Sequence, residues 1–164
     1  MSAAFGLVDA VHHYVPERAR SFGIKPGMTV VDYGCGPGRF TVEFAQLVGP
    51  DGHVYAVDLL PIALEATKRR LDKAGLTGVE LLLADDYNSG VPTSAADMVC
   101  AIDMFHHVEP IPFLAEAARI TKPDGVLIFS GGHMARPQLK DEITASPLWR
   151  LDSDTPEYLK YVKT

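Results

Sequence analysis

The sequence predicts an α/β domain, a doubly wound and largely parallel sheet with helices on both faces. Three observations predict it. Five strand-length apolar runs alternate with helix-length amphipathic runs, the pattern of strands joined by right-handed helical crossovers. A glycine-rich run, Gly34-Cys35-Gly36-Pro37-Gly38, stands between the first of these strands and the helix after it. The length, 164 residues at 47% hydrophobic and 22% charged, suits one globular domain with a full core.

The elements follow in order. Pro16 to Phe22 reads as a helix closed by Gly23, outside the alternation. Lys25-Pro26-Gly27 is a turn, and Thr29 to Tyr33 is the first strand. Arg39 to Val48 carries Phe40, Phe44, Leu47 and Val48 at helical spacing. Gly49-Pro50-Asp51-Gly52 ends that helix, and His53 to Val57 is the second strand, with Asp58 at its end. Pro61 opens a helix running to about Ala74, with Gly75 as its stop. Val79 to Ala84 is the third strand, and Tyr87 to Ala95 is irregular. Met98 to Ile102 is a continuous apolar fourth strand, as expected where both faces are covered. Pro112 to Ile120 is a helix, Lys122-Pro123-Asp124-Gly125 a turn, and Val126 to Phe129 the fifth strand. Pro137 to Ala145 is a short helix. Leu148 to Leu151 and Tyr158 to Val162 read as two last strands around a polar turn at Asp152-Ser153-Asp154-Thr155-Pro156.

Charge and cysteine usage exclude several classes. Asp and Glu number 21 against 15 Lys and Arg, a formal charge of −6, so a nucleic-acid partner with a broad basic footprint is not expected. No run of about 20 apolar residues is present, so no membrane span is expected. The first ten residues lack the basic and apolar regions of a secretory signal. Cys35 and Cys100 are the only cysteines, too few for a zinc ribbon or a disulfide framework. A reduced, cytoplasmic protein is the expectation.

In a doubly wound sheet the ligand lies beyond the carboxyl ends of the strands. Glycines in a loop there let backbone approach a ligand closely. Asp32 lies two residues before Gly34, and Asp58 follows it by 24 residues at the end of the second strand, placed to accept ribose hydroxyls. Dinucleotide sites use G-x-G-x-x-G with pyrophosphate on the helix terminus. The spacing here is G-x-G-x-G, and Asp32 adds negative charge beside it. That combination leans towards a nucleoside with a positively charged tail. Six histidines are present. His106 and His107 follow the fourth strand and are candidate general bases. A metal site of His106, His107, His133 and Asp103 is not expected, because adjacent histidines point apart on most backbones.

The run V-V-D-Y-G-C-G-P-G-R-F resembles the first motif of class I S-adenosylmethionine-dependent methyltransferases. V-Y-A-V-D-L-L-P is similar to the end of their second strand, and L-L-L-A-D-D to their third. D-M-V-C-A-I-D-M-F-H-H-V and L-A-E-A-A-R-I-T-K-P-D-G-V-L-I-F-S are similar to the fourth strand and the passage into the fifth. The resemblance spans Lys25 to Ser130, and its nearest flavour is the small ubiquinone and menaquinone biosynthesis methyltransferases. It implies a Rossmann-like, seven-stranded sheet of order 3-2-1-4-5-7-6 with one strand antiparallel, a methyltransferase core at 29–164, and a helical segment or cap at 1–28. A complete chain is expected.

The resemblance also implies roles. S-adenosylmethionine would bind, with S-adenosylhomocysteine as product. Gly34, Gly36 and Gly38 would hold the methionine part, and Asp32 would face its amino group, directly or through water. Asp58 would take the ribose hydroxyls and Leu59 would pack on the adenine. Asp85 would accept from the adenine amino group, with Asp86 or Tyr87 offering backbone contacts. Backbone at Ile102 and Asp103 would complete the methionine pocket. The acceptor is expected to be a small molecule, and no metal is implied. So short a chain leaves the acceptor side open, for which a homodimer partner or a large acceptor would supply cover. A non-catalytic S-adenosylmethionine-binding domain is the alternative.

Overall fold

The structure is a computed structural model and describes residues 14–132 and 134–164. Helix α1 (residues 14–21) precedes β1 (Thr29–Tyr33), α2 (Arg39–Val48), β2 (His53–Asp58), α3 (Pro61–Ala74), β3 (Val79–Leu83) and β4 (Ala96–Ile102). After a 3₁₀ turn (Phe105–His107) come α4 (Pro110–Ile120), β5 (Thr121–Ser130), α5 (Arg136–Thr144), β6 (Trp149–Asp154) and β7 (Leu159–Lys163). The seven strands form one sheet of order β3-β2-β1-β4-β5-β7-β6. The first five are parallel, and β7 runs antiparallel to both of its neighbours.

Period-2 alternation in the central strands sends side chains to two cores. Val31, Val99, Ala101, Leu127 and Phe129 join Phe113 and Leu114 of α4, Ile143 of α5, Trp149 and Tyr161 on one face. Val30, Met98, Cys100 and Ile128 join Ala19 of α1, Phe22, and Phe44 and Val48 of α2 on the other. The segment before β1 thus supplies part of a core: Phe22 stacks on Phe40 with ring centroids 6.2 Å apart. In the first core Phe105, Phe113, Phe129 and Tyr161 meet edge to face. Each fully buried ring of this kind contributes roughly 1.5–3 kcal/mol by burial. Trp149 is core, its indole N–H donating to Leu114 O at 3.0 Å.

Element ends depart from expectation where polar residues are tolerated. α4 starts at Pro110 rather than Pro112, because a proline costs nothing in the first turn, whose N–H groups lack helical partners. β4 begins two residues early, at Ala96. β5 extends back to Thr121, and its register jumps from Ala96↔Thr121 to Met98↔Val126. The expected turn at Lys122–Gly125 is therefore a bulge out of a continuous strand. β6 runs on through Asp152, Ser153 and Asp154. It is an edge strand, so its outward acids can be solvated, and Lys160 sits 2.9 Å from Asp152 while Arg136 and Lys140 sit 2.8 Å from Asp154. The reversal shrinks to Thr155–Tyr158, closed by Thr155 N–H donating to Tyr158 O at 3.0 Å.

Candidate functional site

A cleft of two lobes, about 540 Å³ and 510 Å³, opens at the carboxyl ends of β1, β2 and β4. Gly34, Gly36 and Asp103 line both lobes. The glycine loop is its floor. The amides of Gly34 and Cys35 donate to Val57 O at 2.8 and 3.0 Å, tying the loop to β2. Gly38 has φ +78, and a Cβ there would stand 2.7 Å from Thr67 Oγ1 and 2.9 Å from Thr67 Cα. Only glycine lets α3 lie so close to the loop. At Gly36 a Cβ would meet nothing within 4 Å, so the loop presents bare backbone to the cleft.

Asp58, Leu59 and Leu60 line the first lobe with Tyr33, Asp86, Tyr87, Met104 and His107. Both Asp58 oxygens are held: Oδ2 accepts the Gly36 N–H at 2.8 Å and Oδ1 the Leu60 N–H at 2.9 Å. Each oxygen keeps acceptor capacity for a ligand hydroxyl. Leu59 is 56% exposed at the rim. Asp85 and Asp86 part company. Asp85 exchanges backbone hydrogen bonds with Asn88, both at 3.0 Å, and lies off the cleft lining. Asp86, at φ +53, lines it.

Asp32, Ile102 and Asp103 line the second lobe with Tyr14, Arg18, Cys35, Arg39, Gly131 and Gly132. Asp32 is only 2% exposed, and its Oδ2 accepts the Thr41 hydroxyl at 2.6 Å. Burial pushes its carboxyl up to about 7; the Thr41 bond opposes this and the Asp58 charge adds to it. Asp103 stands at φ +52, its amide on Ser130 O at 2.9 Å. Burial also pushes the Cys35 thiol up to about 12, with Asp32 adding to it, so Cys35 stays a neutral thiol at pH 7.

The two histidine rings do not point apart as expected: in the tight 3₁₀ turn their centroids lie 3.8 Å from each other, although they line different spaces. His107 faces the first lobe, whereas His106 lines a crevice of about 10 Å³ with Phe129 and Met134. His133 lies outside the described residues. Among the described residues no three His, Cys, Asp or Glu side chains converge as a metal site. No helix among them is long and apolar enough to cross a membrane. Sequence spacing carried no signal for Arg18, Tyr33 or Met104 as cleft residues. Their placement depends on contacts made only after folding.

Residues 31–129 match the family described as a methyltransferase domain. The chain belongs to the class I S-adenosylmethionine-dependent methyltransferases. The fold agrees with a solved S-adenosylmethionine-dependent methyltransferase from Aquifex aeolicus, at TM-score 0.76 and 24% identity over 89% of this chain and 87% of that one. A ubiquinone biosynthesis O-methyltransferase of Thiobacillus denitrificans is 31% identical over 141 residues, 84% of this chain and 59% of its own. A protein-L-isoaspartate O-methyltransferase of Pyrococcus horikoshii is 31% identical over 127 residues, 77% of this chain and 54% of its own. The chain thus spans little more than half of each of these two relatives. The cleft residues fit the family's cofactor. Its ring of carboxylates suits a sulfonium and an ammonium and would repel a pyrophosphate, and the open face of Gly36 admits a ligand against the loop.

Proposed function

We propose that this methyltransferase domain transfers a methyl group from S-adenosylmethionine to a small-molecule acceptor. The observation that carries the proposal is the two-lobed cleft joined at Gly34, Gly36 and Asp103. S-adenosylmethionine supplies an already activated methyl on its sulfonium, so the protein's share is holding, aligning and excluding water.

In this reading the first lobe takes the adenosine. Asp58 accepts the ribose hydroxyls while the Gly36 and Leu60 amides fix its carboxylate. Leu59 covers the adenine, and Asp86 with Tyr87, rather than Asp85, offers the groups nearest the ring. The second lobe takes the methionine part, over bare backbone at Gly34 and Gly36 and beside Ile102 and Asp103. Asp32 acts from below, its charge reaching the ammonium directly or through water. His107 is the better placed of the two histidines to take a proton from an acceptor, because it faces the lobe. The small-molecule reading is supported by the ubiquinone-biosynthesis relative; the isoaspartate relative, named for a protein acceptor, is the competing precedent.

Calorimetric titration with S-adenosylhomocysteine and with NAD tests the cofactor. S-adenosylhomocysteine should bind and NAD should not. Asp58→Ala should weaken binding about 10- to 100-fold, the worth of hydrogen bonds to a charged group. Binding of neither ligand would remove the proposal. Binding without turnover on any acceptor would favour a non-catalytic S-adenosylmethionine-binding domain.

A further inference from the structure

The two edges of the sheet are built differently. β6, at one end of the strand order, carries Arg150, Asp152 and Asp154, and its register against β7 shifts between Leu151 and Ser153. Charges and a bulge are devices that keep an edge strand from pairing with another chain. β3, at the other end, is a plain strand. Its sequence is Val-Glu-Leu-Leu-Leu, with no proline and an unbroken register against β2. Glu80 is its one charged residue, and that carboxylate lies 3.6 Å from His53 Nε2 on β2. No residue of β3 is buried, although four of its five are apolar.

The backbone of β3 is half used. At the two ends of its pairing with β2, Val54 N–H donates to Gly78 O at 3.0 Å and Ala84 N–H donates to Asp58 O at 2.9 Å. Peptide groups alternate in direction along a strand, so Glu80 and Leu82 face β2 as Gly78 and Ala84 do. Val79, Leu81 and Leu83 therefore aim their N–H and C=O groups away from the sheet. The side chains of Leu81 and Leu83 stand on the α3 face, where with Pro61, Leu64, Glu65 and Lys68 they line a groove of about 240 Å³. Leu83 is 55% exposed there.

We infer that β3 is the seam of a homodimer, pairing antiparallel with β3 of a second copy about a two-fold axis through Leu81. Symmetry and charge favour a second copy as the occupant. The outward residues Val79, Leu81 and Leu83 are apolar in either reading direction, so the strand is complementary to its own reverse. Leu81 meets Leu81 of the copy and Val79 meets Leu83 of the copy, each pair exchanging two hydrogen bonds. Glu65 and Lys68 line the groove from α3, and the same axis reverses their order, setting Glu65 of one copy towards Lys68 of the other. The two-fold uses up the edge, so assembly closes at two subunits with the protected β6 at both margins. Leu83 lies beside Asp58 in the β2 register, and the antiparallel seam points this end of β3 in opposite directions in the two copies. The two clefts therefore open on opposite sides of the joint sheet, and each subunit keeps its own.

The test joins the mass of the full chain in solution to exchange at single amides. Sedimentation equilibrium over a wide range of protein concentration should give a monomer–dimer equilibrium with no larger species. As the dimer fills, the amides of Val79, Leu81 and Leu83 should gain protection from hydrogen exchange, while those of Glu80 and Leu82, already on β2, should change little. Leu83→Lys alters an exposed side chain, so the fold should survive, and it should weaken dimerisation at least about tenfold. Leu148→Lys, at an exposed leucine just before β6, should leave the dimer as it was. A monomer at every concentration would overturn the inference and leave the edge to a chain of different sequence. A dimer whose β3 amides stay unprotected would overturn it too, as would equal behaviour of the two lysine variants. Open-ended association would mark β3 as an aggregation edge and would likewise end the proposal. None of these readouts uses the cofactor, so the result stands apart from the fate of the methyltransfer reading.

Discussion

A carboxylate sealed at the end of a central strand is costly to ionise, and Asp32 has one hydroxyl, from Thr41, to offset that cost. Its folded-state pKa of about 7 stands above the usual value of 3.8, chiefly because of burial. A raised folded pKa means that the native state prefers the proton. The associated stability is whole below about pH 4 and is lost as pH climbs through about 7. The loss is at most about 4 kcal/mol at 1.36 kcal/mol per pKa unit. Asp32→Asn cannot ionise and should lack this loss. Denaturant unfolding of both proteins from pH 4 to 7.5 should therefore show wild type falling relative to the variant. Parallel curves would mean that Asp32 does not titrate in this range. A positive charge placed in the second lobe would favour the ionised form that burial resists.

Two loops that share no sequence neighbourhood are joined by one side chain. Tyr87, in the segment after β3, accepts the Glu109 amide on its hydroxyl at 2.7 Å, just ahead of α4. Its carbonyl accepts the Tyr33 hydroxyl at 3.3 Å. Glu109 is the N-cap of α4 without a side-chain cap of its own, so Tyr87 supplies part of what a capping residue would. The segment carrying His107 and the segment carrying Asp86, both on the first lobe, are thus held together. Tyr87→Phe should cost about 0.5–1.5 kcal/mol of stability and speed hydrogen exchange at Glu109 and its neighbours. Unaltered exchange there would mean that the bond does not anchor the helix start. The case also marks what could be read in advance. β1, α2 and α3 were legible to the residue, because apolar period, glycine stops and a first-turn proline are local signals. The β6 end and the start of β5 were not, because an edge strand tolerates acids and a bulge hides a turn inside a strand. The positions of Asp32 and Asp58 beside the cleft were legible from their places at strand ends. The approach of Arg18, the bonds of the Tyr87 hydroxyl, and the turn that puts Asp86 rather than Asp85 on the cleft lining were not, since each depends on a tertiary approach or a backbone twist that spacing does not encode.

At the scale of the molecule, the cleft lies where both cores end. β1, β2 and β4 each send alternate side chains to opposite faces, Val31 and Val99 to one cluster and Val30 and Met98 to the other. A ligand resting on their carboxyl ends therefore bears on both layers at once. The Arg18 bonds to Glu157 O and the Ser130 hydroxyl bond to the same carbonyl at 2.7 Å close the rim between the first helix and the last hairpin. No layer of the sheet can open without disturbing the other, so the chain should unfold in one cooperative step, as small single domains usually do. A ligand that binds only the native state adds about 2.7 kcal/mol at 100 times its dissociation constant. For a domain of this size that is a rise in Tm of about 5–10 °C. S-adenosylhomocysteine at that excess should move the whole calorimetric transition by that amount and leave it single. A split transition, with one part moving and the other fixed, would show that the two cores unfold independently and that the cleft belongs to only one of them.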